Sequence, residues 1–359
     1  MKVRFETFGC RLNRAEALQR EAELLSAGWQ LSERRADADM IVVRGCSITR
    51  RAQHECEKLI SHLKERYPTK KIVVEGCISK KSPSSHTLNI KGWNDSAAVV
   101  PTRTARAYLK AQDGCNGKCS FCIVPRFRGK ARSVDFDELL MKARSFIDSG
   151  YREIVVTGCN LSLYNSQGKR FSQTIEALAN LSPDVRIRIG SIEPVKAAEE
   201  LIDVMADHSN ICRFLHLPIQ SGSNRTLSAM RRPYHVNDVE LILKKAIDAF
   251  PLIGLGCDLI TGFPGESELD FIASKRLLKS FPFSNVHAFP YSERPGTEAE
   301  NLPEKIPVNV RKSRAHELAD LSDSMRAAVI YNIWRCWHKE MGIGGSYEEM
   351  IKAYNEGVI

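Results

Sequence analysis

Three short strand-like runs near the start of the chain each stop at a Gly-Cys pair. Val3 to Phe8 runs into Gly9-Cys10, Ile41-Val42-Val43-Arg44 into Gly45-Cys46, and Ile72-Val73-Val74-Glu75 into Gly76-Cys77. Helical patterns lie between them. Ala15 to Ala27 puts Leu18, Ala22 and Leu25 on one face, and Gln53 to Glu65 does the same with Cys56, Leu59, Ile60 and Leu63. Strand, helix, strand, helix, strand is the pattern of a parallel sheet with crossover helices, whose strand C-termini share one edge. The pattern predicts that Cys10, Cys46 and Cys77 face one crevice. Each preceding glycine lets the backbone turn tightly and come close to a ligand. Three small cysteines packed in a core are the alternative; their common place after three strands favours a metal or cluster site.

The eleven cysteines are an odd number, which suits complete disulfide pairing poorly. MKVRFETFGC has no long apolar stretch of the secretory type, and no run of 18 apolar residues occurs. The expectation is a cytoplasmic protein with no membrane partner and reduced thiols, available for metal binding or catalysis. With 359 residues, 43% hydrophobic and 26% charged, the chain suits about two globular domains. That excludes a disordered chain, a collagen and a small disulfide scaffold. The formal charge of +9 favours an anionic partner such as nucleic acid, although solubility alone accounts for such an excess.

From about residue 104, strand-like and helix-like segments alternate. Strands are expected over 105–112, 153–157, 185–189, 213–217, 253–260 and 286–289, and helices over 136–149, 170–181, 196–207, 222–231 and 267–280. Six such units predict a partial (β/α)6 TIM-like barrel, whose loops after the strands form the active face. Glycine, proline, polar residues and cysteines gather in those loops. One loop holds Cys115-Asn-Gly-Lys-Cys119-Ser-Phe-Cys122, a C-x3-C-x2-C triplet. A structural zinc site would bring a fourth Cys or His, and Ile123 to Val134 holds neither. Three thiolates on a [4Fe–4S] cluster leave one iron open to a ligand.

The triplet at the end of a first barrel strand resembles that of radical S-adenosylmethionine (SAM) enzymes. Joined to a three-cysteine N-terminal sheet, it resembles the radical SAM methylthiotransferase family. The likeness runs from residue 3 to about residue 300. It includes Gly9-Cys10 with Asn13, the later Gly-Cys pairs, Gln112-Asp113-Gly114-Cys115 and Pro125-Arg126-Phe127-Arg128-Gly129. It continues through Ser191-Ile192-Glu193-Pro194, His216 to Ser223, Gly262 to Glu266 and Phe289-Pro290-Tyr291-Ser292. Arg188 to Pro194 and Thr157 to Leu161 look most like the branch that modifies threonylcarbamoyladenosine beside the anticodon.

The resemblance implies a tRNA-modifying transferase that adds a methylthio group to C2 of N6-threonylcarbamoyladenosine. The alternatives are isopentenyladenosine in tRNA, a ribosomal protein aspartate, or an inactive iron–sulfur RNA-binding paralogue. It implies one [4Fe–4S] cluster on Cys115, Cys119 and Cys122 that binds SAM, and a second on Cys10, Cys46 and Cys77 that carries the sulfur. Phe121 would pack near the adenine of SAM. Thr157, Gly158 and Asn160 would contact its amino group, or simply form a strand-to-loop turn. Glu193, Gln220 and Arg232 are further SAM or substrate candidates, or loop-closing residues. The basic stretch Arg126, Phe127, Arg128, Lys130 and Arg132 would meet RNA phosphates, with the ring stacking on a base, unless it is a solvated loop. The implied partners are a tRNA anticodon stem-loop, an electron donor such as flavodoxin or ferredoxin, and a sulfur source. The remaining cysteines, Cys56, Cys159, Cys212, Cys257 and Cys336, read as packing residues.

Some features depart from the family. The usual Asn-Thr-Cys at the second ligand is Arg44-Gly45-Cys46, and the third reads Glu75-Gly76-Cys77. Residues 1–80 are expected as the auxiliary-cluster domain, 81–102 as a linker, 103–305 as the radical SAM barrel and 306–359 as a helical extension. Family members usually carry a C-terminal β-barrel RNA-binding domain. Here Val308 to about Met341 reads as one helix, so no complete barrel of that kind is expected.

Overall fold

The computed structural model describes residues 1–78 and 105–341, with side chains described as far as residue 330. The expected linker 81–102, the side chain of Cys336 and the chain after residue 341 lie outside the described residues. The chain divides into two compact units. The first comprises Met1–Cys212, Met230–Arg232 and Ser292–Asn301; the second comprises Arg213–Ala229, Pro233–Tyr291 and the chain from Leu302 onward. The second unit thus begins inside the span 103–305.

The first unit opens with β1 (Lys2–Thr7), α1 (Arg11–Ser26), β2 (Gln30–Leu31), β3 (Met40–Gly45), α2 (Arg50–Arg66) and β4 (Lys71–Gly76). They build a parallel sheet in the order β2-β1-β3-β4. β3 is internal and almost wholly buried, as a β-branched run covered on both faces must be. Its side chains alternate between two cores. Met40 and Val42 pack with Val3, Leu24 and Val73 beside Phe5 and Trp29. Ile41 and Val43 pack with Ala38 and Leu63 beside Leu59 and Ile60. α1 therefore covers one face and α2 the other. Each such side chain contributes about 1.5–3 kcal/mol on burial. A charge in place of Val42 would be buried without a partner and would break the sheet. Thr49 starts α2 by accepting the Ala52 N–H at 3.2 Å, and Pro68 follows its last turn.

The unit continues with β5 (Arg106–Lys110), β6 (Gln112–Asp113), α3 (Val124–Arg128), β7 (Arg132–Ser133), α4 (Phe136–Asp148) and β8 (Glu153–Thr157). After these come β9 (Asn165–Ser166), β10 (Lys169–Arg170), α5 (Phe171–Ala179), β11 (Arg186–Ile189) and α6 (Lys196–Asp207). β5, β8 and β11 form a parallel sheet in the order β11-β8-β5. The second unit holds β12 (Phe214–Gln220), α7 (Asn224–Ala229), α8 (Val236–Ala249), β13 (Gly254–Thr261), α9 (Glu268–Ser280), β14 (Phe283–Pro290) and α10 (Val308–Met341). Its sheet is also parallel, in the order β12-β13-β14. α10 packs on β14, burying Leu318 and Ser322, whose hydroxyl accepts the Val286 N–H at 3.1 Å.

The fold is α/β, the six strands expected for the barrel form two separate three-stranded parallel sheets, one in each unit, and no closed ring forms among the described residues. α8 is an element the sequence reading passed over. Its buried Val239, Ile242, Leu243 and Ala246 have helical spacing. No described helix is long and apolar enough to cross a membrane.

Candidate functional site

The first cysteine triad depends on strand register. Thr7 aligns with Arg44 and Arg44 with Glu75, while Gly45 aligns with Gly76. The three Gly-Cys pairs therefore emerge at one sheet edge. Gly9, at φ +96°, sits so tightly that a Cβ there would lie 2.5 Å from the Cys46 Cβ and 3.1 Å from its Sγ. Cys10 is exposed at the start of α1, whereas Cys46 and Cys77 are buried. Burial pushes the Cys46 thiol up to about 11; the Ile48 amide opposes this, and Cys10 and Cys77 reinforce it. Arg128 Nε donates to Cys77 Sγ at 3.3 Å. Beside Cys46, the fully buried Ser47 hydroxyl has no hydrogen-bond partner among the described residues. Converging soft donors with an orphaned polar group alongside fit a cluster at this edge.

The second triad depends on one loop. β6 pairs with β7, and the intervening backbone folds back so that the Cys115 N–H donates to Gly129 O at 3.1 Å. Gly114 is at φ +67°, and a Cβ on it would lie 2.1 Å from Lys130 O, so no other residue fits there. A Cβ on Gly117 would lie 3.2 Å from Cys115 Sγ and 3.7 Å from Cys119 Sγ, so both sulfurs gather over one glycine. Burial pushes the Cys122 thiol up to about 12, the Val124 amide opposes this, and Cys119 and Cys115 add to it. Burial also raises Cys119, against the opposing charge of Arg232, whose Nη1 lies 3.0 Å from its Sγ. Cys119 and Cys122, whose burial disfavours a free thiolate, are suited to ionise against a bound cluster.

Several other expected residues sit around this loop. Asn160 Nδ2 lies 3.9 Å from Cys115 Sγ, and its backbone N–H donates to Gln112 Oε1 at 2.8 Å. Thr157 is buried at the end of β8. A Cβ on Gly158 would lie 3.0 Å from the Gln112 Cβ. Arg232 bridges Cys119 and the Glu193 carboxylate. Phe121 is half-buried between Cys119 and Cys122 in the chain. Gln220 belongs to the second unit, at the end of β12 with φ +70°. Cys159 lies 3.4 Å from an Asp113 oxygen, and burial raises its thiol strongly, in keeping with a packing role.

The basic stretch corrects an expectation. Phe127 is buried with Cys77 and Ile123 against Ile48, so its ring does not face a base. Arg128 is turned inward, with 9% of its side chain exposed. Its Nη1 donates to Glu16 at 2.9 Å and Asp113 at 3.0 Å, and its Nη2 to Asn13 at 2.9 Å and Glu16 at 3.2 Å. With the Cys77 contact, all five N–H groups are spent inside the protein. Lys110 adds contacts of 2.5 Å to Glu16 and 2.7 Å to Asp113. Burial pushes the Glu16 carboxyl up, but Lys110, Arg44 and Arg128 outweigh it and hold it well below the usual range. Only Arg126, Lys130 and Arg132 of the stretch stay exposed. Sequence reasoning missed Glu16, whose signal was its spacing. Asn13 and Glu16 follow Cys10, the residue that caps α1, at three-residue intervals.

Residues 109–278 match the Radical SAM superfamily, and residues 2–99 match the family described as "Uncharacterized protein family UPF0004". A Threonylcarbamoyladenosine tRNA methylthiotransferase MtaB from Bacillus subtilis is 32% identical over 90% of this chain and 80% of its own. A tRNA-2-methylthio-N(6)-dimethylallyladenosine synthase from Chlorobium luteolum is also 32% identical, over 90% and 81%. The chain belongs to the radical SAM methylthiotransferase family. Enzymes of this family transfer a methylthio group and use [4Fe–4S] clusters and SAM. Among solved structures, the radical SAM methyltransferase TsrM from Kitasatospora setae superposes with a TM-score of 0.60. That likeness is 14% identical over 83% of this chain and 77% of TsrM, and it shows the shared fold.

Proposed function

We propose that this protein methylthiolates tRNA at C2 of N6-threonylcarbamoyladenosine beside the anticodon. The observation that carries the reading is the presence of two separate cysteine triads in one compact unit, each gathered by its own backbone device. The threonylcarbamoyl assignment is supported by the Bacillus subtilis relative and by the loops around Asn160 and Glu193.

In this reading Cys115, Cys119 and Cys122 hold the cluster that takes SAM, and Cys10, Cys46 and Cys77 hold the cluster that takes the sulfur. When bound and reduced, the first supplies the electron that cleaves SAM to a 5′-deoxyadenosyl radical. The chain's own residues place the reactants. Asn160, Thr157 and Gly158 contribute polar groups at the end of β8 for the SAM amino group. Phe121 offers a ring to the adenine. Arg232 neutralises the Cys119 thiolate and ties it to Glu193. Arg126, Lys130 and Arg132 give exposed positive charge for RNA phosphates. Flavodoxin or ferredoxin would supply electrons, and a separate donor the sulfur.

The test is mass analysis of nucleosides from tRNA lacking the methylthio group, incubated with the anaerobically reconstituted enzyme, SAM, sulfide and a reductant. The expected product is the 2-methylthio derivative of threonylcarbamoyladenosine. Product only from isopentenyladenosine would move the enzyme to that branch. No methylthioadenosine derivative from any tRNA would overturn the reading.

A further inference from the structure

A second basic feature lies at the start of α2, and Arg126 of the stretch after the second triad reaches its rim, donating to Pro295 O at 3.4 Å. Arg50, Arg51, Gln53, His54, Glu57, Arg294 and Pro295 line an open cavity of about 490 Å³. All of them belong to the first unit. The cavity adjoins the Cys46 loop through Arg294, whose Nη2 donates to Ser47 O and to Gln53 Oε1, both at 2.7 Å.

Charge is unevenly matched here. Arg294 is 3% exposed, its Nε has no hydrogen-bond partner among the described residues, and its bonded partners there are a carbonyl and an amide oxygen. No carboxylate pairs with it among the described residues. A buried guanidinium whose acidic neighbour Glu57 acts on it only at a distance is costly, and an arriving anion offsets that cost. Arg50 stands nearby, exposed and without a side-chain partner among the described residues. Burial lowers the Arg294 pKa and the neighbouring Arg50 charge lowers it further, while Cys46 and Glu57 oppose this in part. Arg51 is partly neutralised by Glu55 at 2.9 Å, and Glu57 accepts from Gln53 at 2.6 Å. Thr49 already caps the helix, so the attraction comes from guanidinium groups and not from free amides.

We propose that the Arg50–Arg294 cavity is a phosphate site for the backbone of the substrate RNA, seating the strand beside the Cys46 edge of the first triad. It rests on the tRNA reading above. A guanidinium pair matches phosphate oxygens in geometry and charge, and a cavity open to solvent admits a strand without opening the core. The site also gives RNA a grip that Phe127 and Arg128, being turned inward, do not provide.

The test uses the reconstituted full chain and a synthetic anticodon stem-loop RNA, titrated across a range of salt concentrations. Each phosphate contact to a single strand contributes about 0.7 to the slope of log K against log salt, so losing one costs about fivefold in affinity at 0.1 M salt. Arg50→Ala is expected to weaken binding about fivefold and flatten the slope by about 0.7. Arg50→Glu should weaken it more, and Arg50→Lys should keep most of it. A stem-loop of different loop sequence should lose affinity by the same factor, because phosphate contacts carry no sequence information. Iron content should not change, which separates the effect from a misfolded cluster edge. If wild type binds and Arg50→Ala and Arg50→Glu bind equally with the same slope, the cavity is not a phosphate site. If wild type binds no RNA, the tRNA reading itself fails.

Discussion

The two cysteine triads gather three thiols each by opposite routes. Cys115, Cys119 and Cys122 lie within eight residues of one loop, held by β6–β7 pairing and by the turn at Gly114. Cys10, Cys46 and Cys77 are spread over 68 residues and meet only because three strands align in register. The local triad gathers its sulfurs by short-range turns, which order few residues. The dispersed triad needs the whole N-terminal sheet, with the conformational entropy that folding it costs. Their surroundings differ too. Arg232 and Glu193 form a compact pair beside Cys119, whereas Cys77 is reached by Arg128, the hub of a buried ionic network. A loop-built site answers to its own residues, and a sheet-built site answers to the packing around it.

The largest expected effect separates the triads by chemistry. Wild type is expected to take up about eight irons per chain on anaerobic reconstitution, and Cys46→Ala and Cys115→Ala about four each. Only Cys115→Ala should abolish reductive SAM cleavage, read as 5′-deoxyadenosine formed. Loss of cleavage in both variants would show that the triads do not act separately.

Next comes the network. Arg128→Ala leaves Glu16 and Asp113 as buried carboxylates short of a partner, at an expected cost of about 3–5 kcal/mol in denaturant unfolding. Arg128→Lys should recover less than half of that, since an ammonium has three donors where the guanidinium uses five. A full recovery would reduce the hub to simple charge.

Two glycines sharpen the contrast at smaller scale. At Gly76, φ is +84° and a Cβ would lie 2.6 Å from Gly45 O, so Gly76→Ala is expected to cost about 1–3 kcal/mol. Gly117 has no positive φ, and its Cβ would meet only the two sulfurs. Gly117→Ala should therefore lower iron occupancy and leave the unfolding midpoint of the metal-free protein in place.

The smallest effect is in pH. The Glu16 carboxyl is held below its ordinary value of 4.5, so the folded protein binds that proton less readily than the unfolded chain. Its contribution is complete above about 4.5 and is lost as pH falls through the lowered value. Thermal midpoints of metal-free wild type and Glu16→Gln should differ at neutral pH and converge on acidification. A gap that widens in acid would contradict the ion-pair account.

Much of this was legible in the chain. The β-branched runs and their Gly-Cys ends set out a parallel sheet, since period and turn chemistry are local properties. The C-x3-C-x2-C spacing was legible for the same reason, because three cysteines within eight residues of one loop are near one another whatever surrounds them. Local pattern could not say which way a side chain turns. Arg126, Phe127, Arg128, Lys130 and Arg132 read as one basic surface, yet two of the five face inward. The packing of α3 on the first triad decides that, and it brings Phe127 against Cys77 and Arg128 against Glu16, 112 positions away in the chain. Arg294 is the parallel case. Nothing near it in sequence marks it as the neighbour of Ser47, and only the fold brings a residue of a late loop beside the start of α2. Sequence by itself determined most of the elements, α8 excepted, and the soft donors, because backbone preference and thiol chemistry belong to each residue. Tertiary structure decided the counter-charges around them, because pairing energies depend on distance and burial, which exist only once the chain has folded.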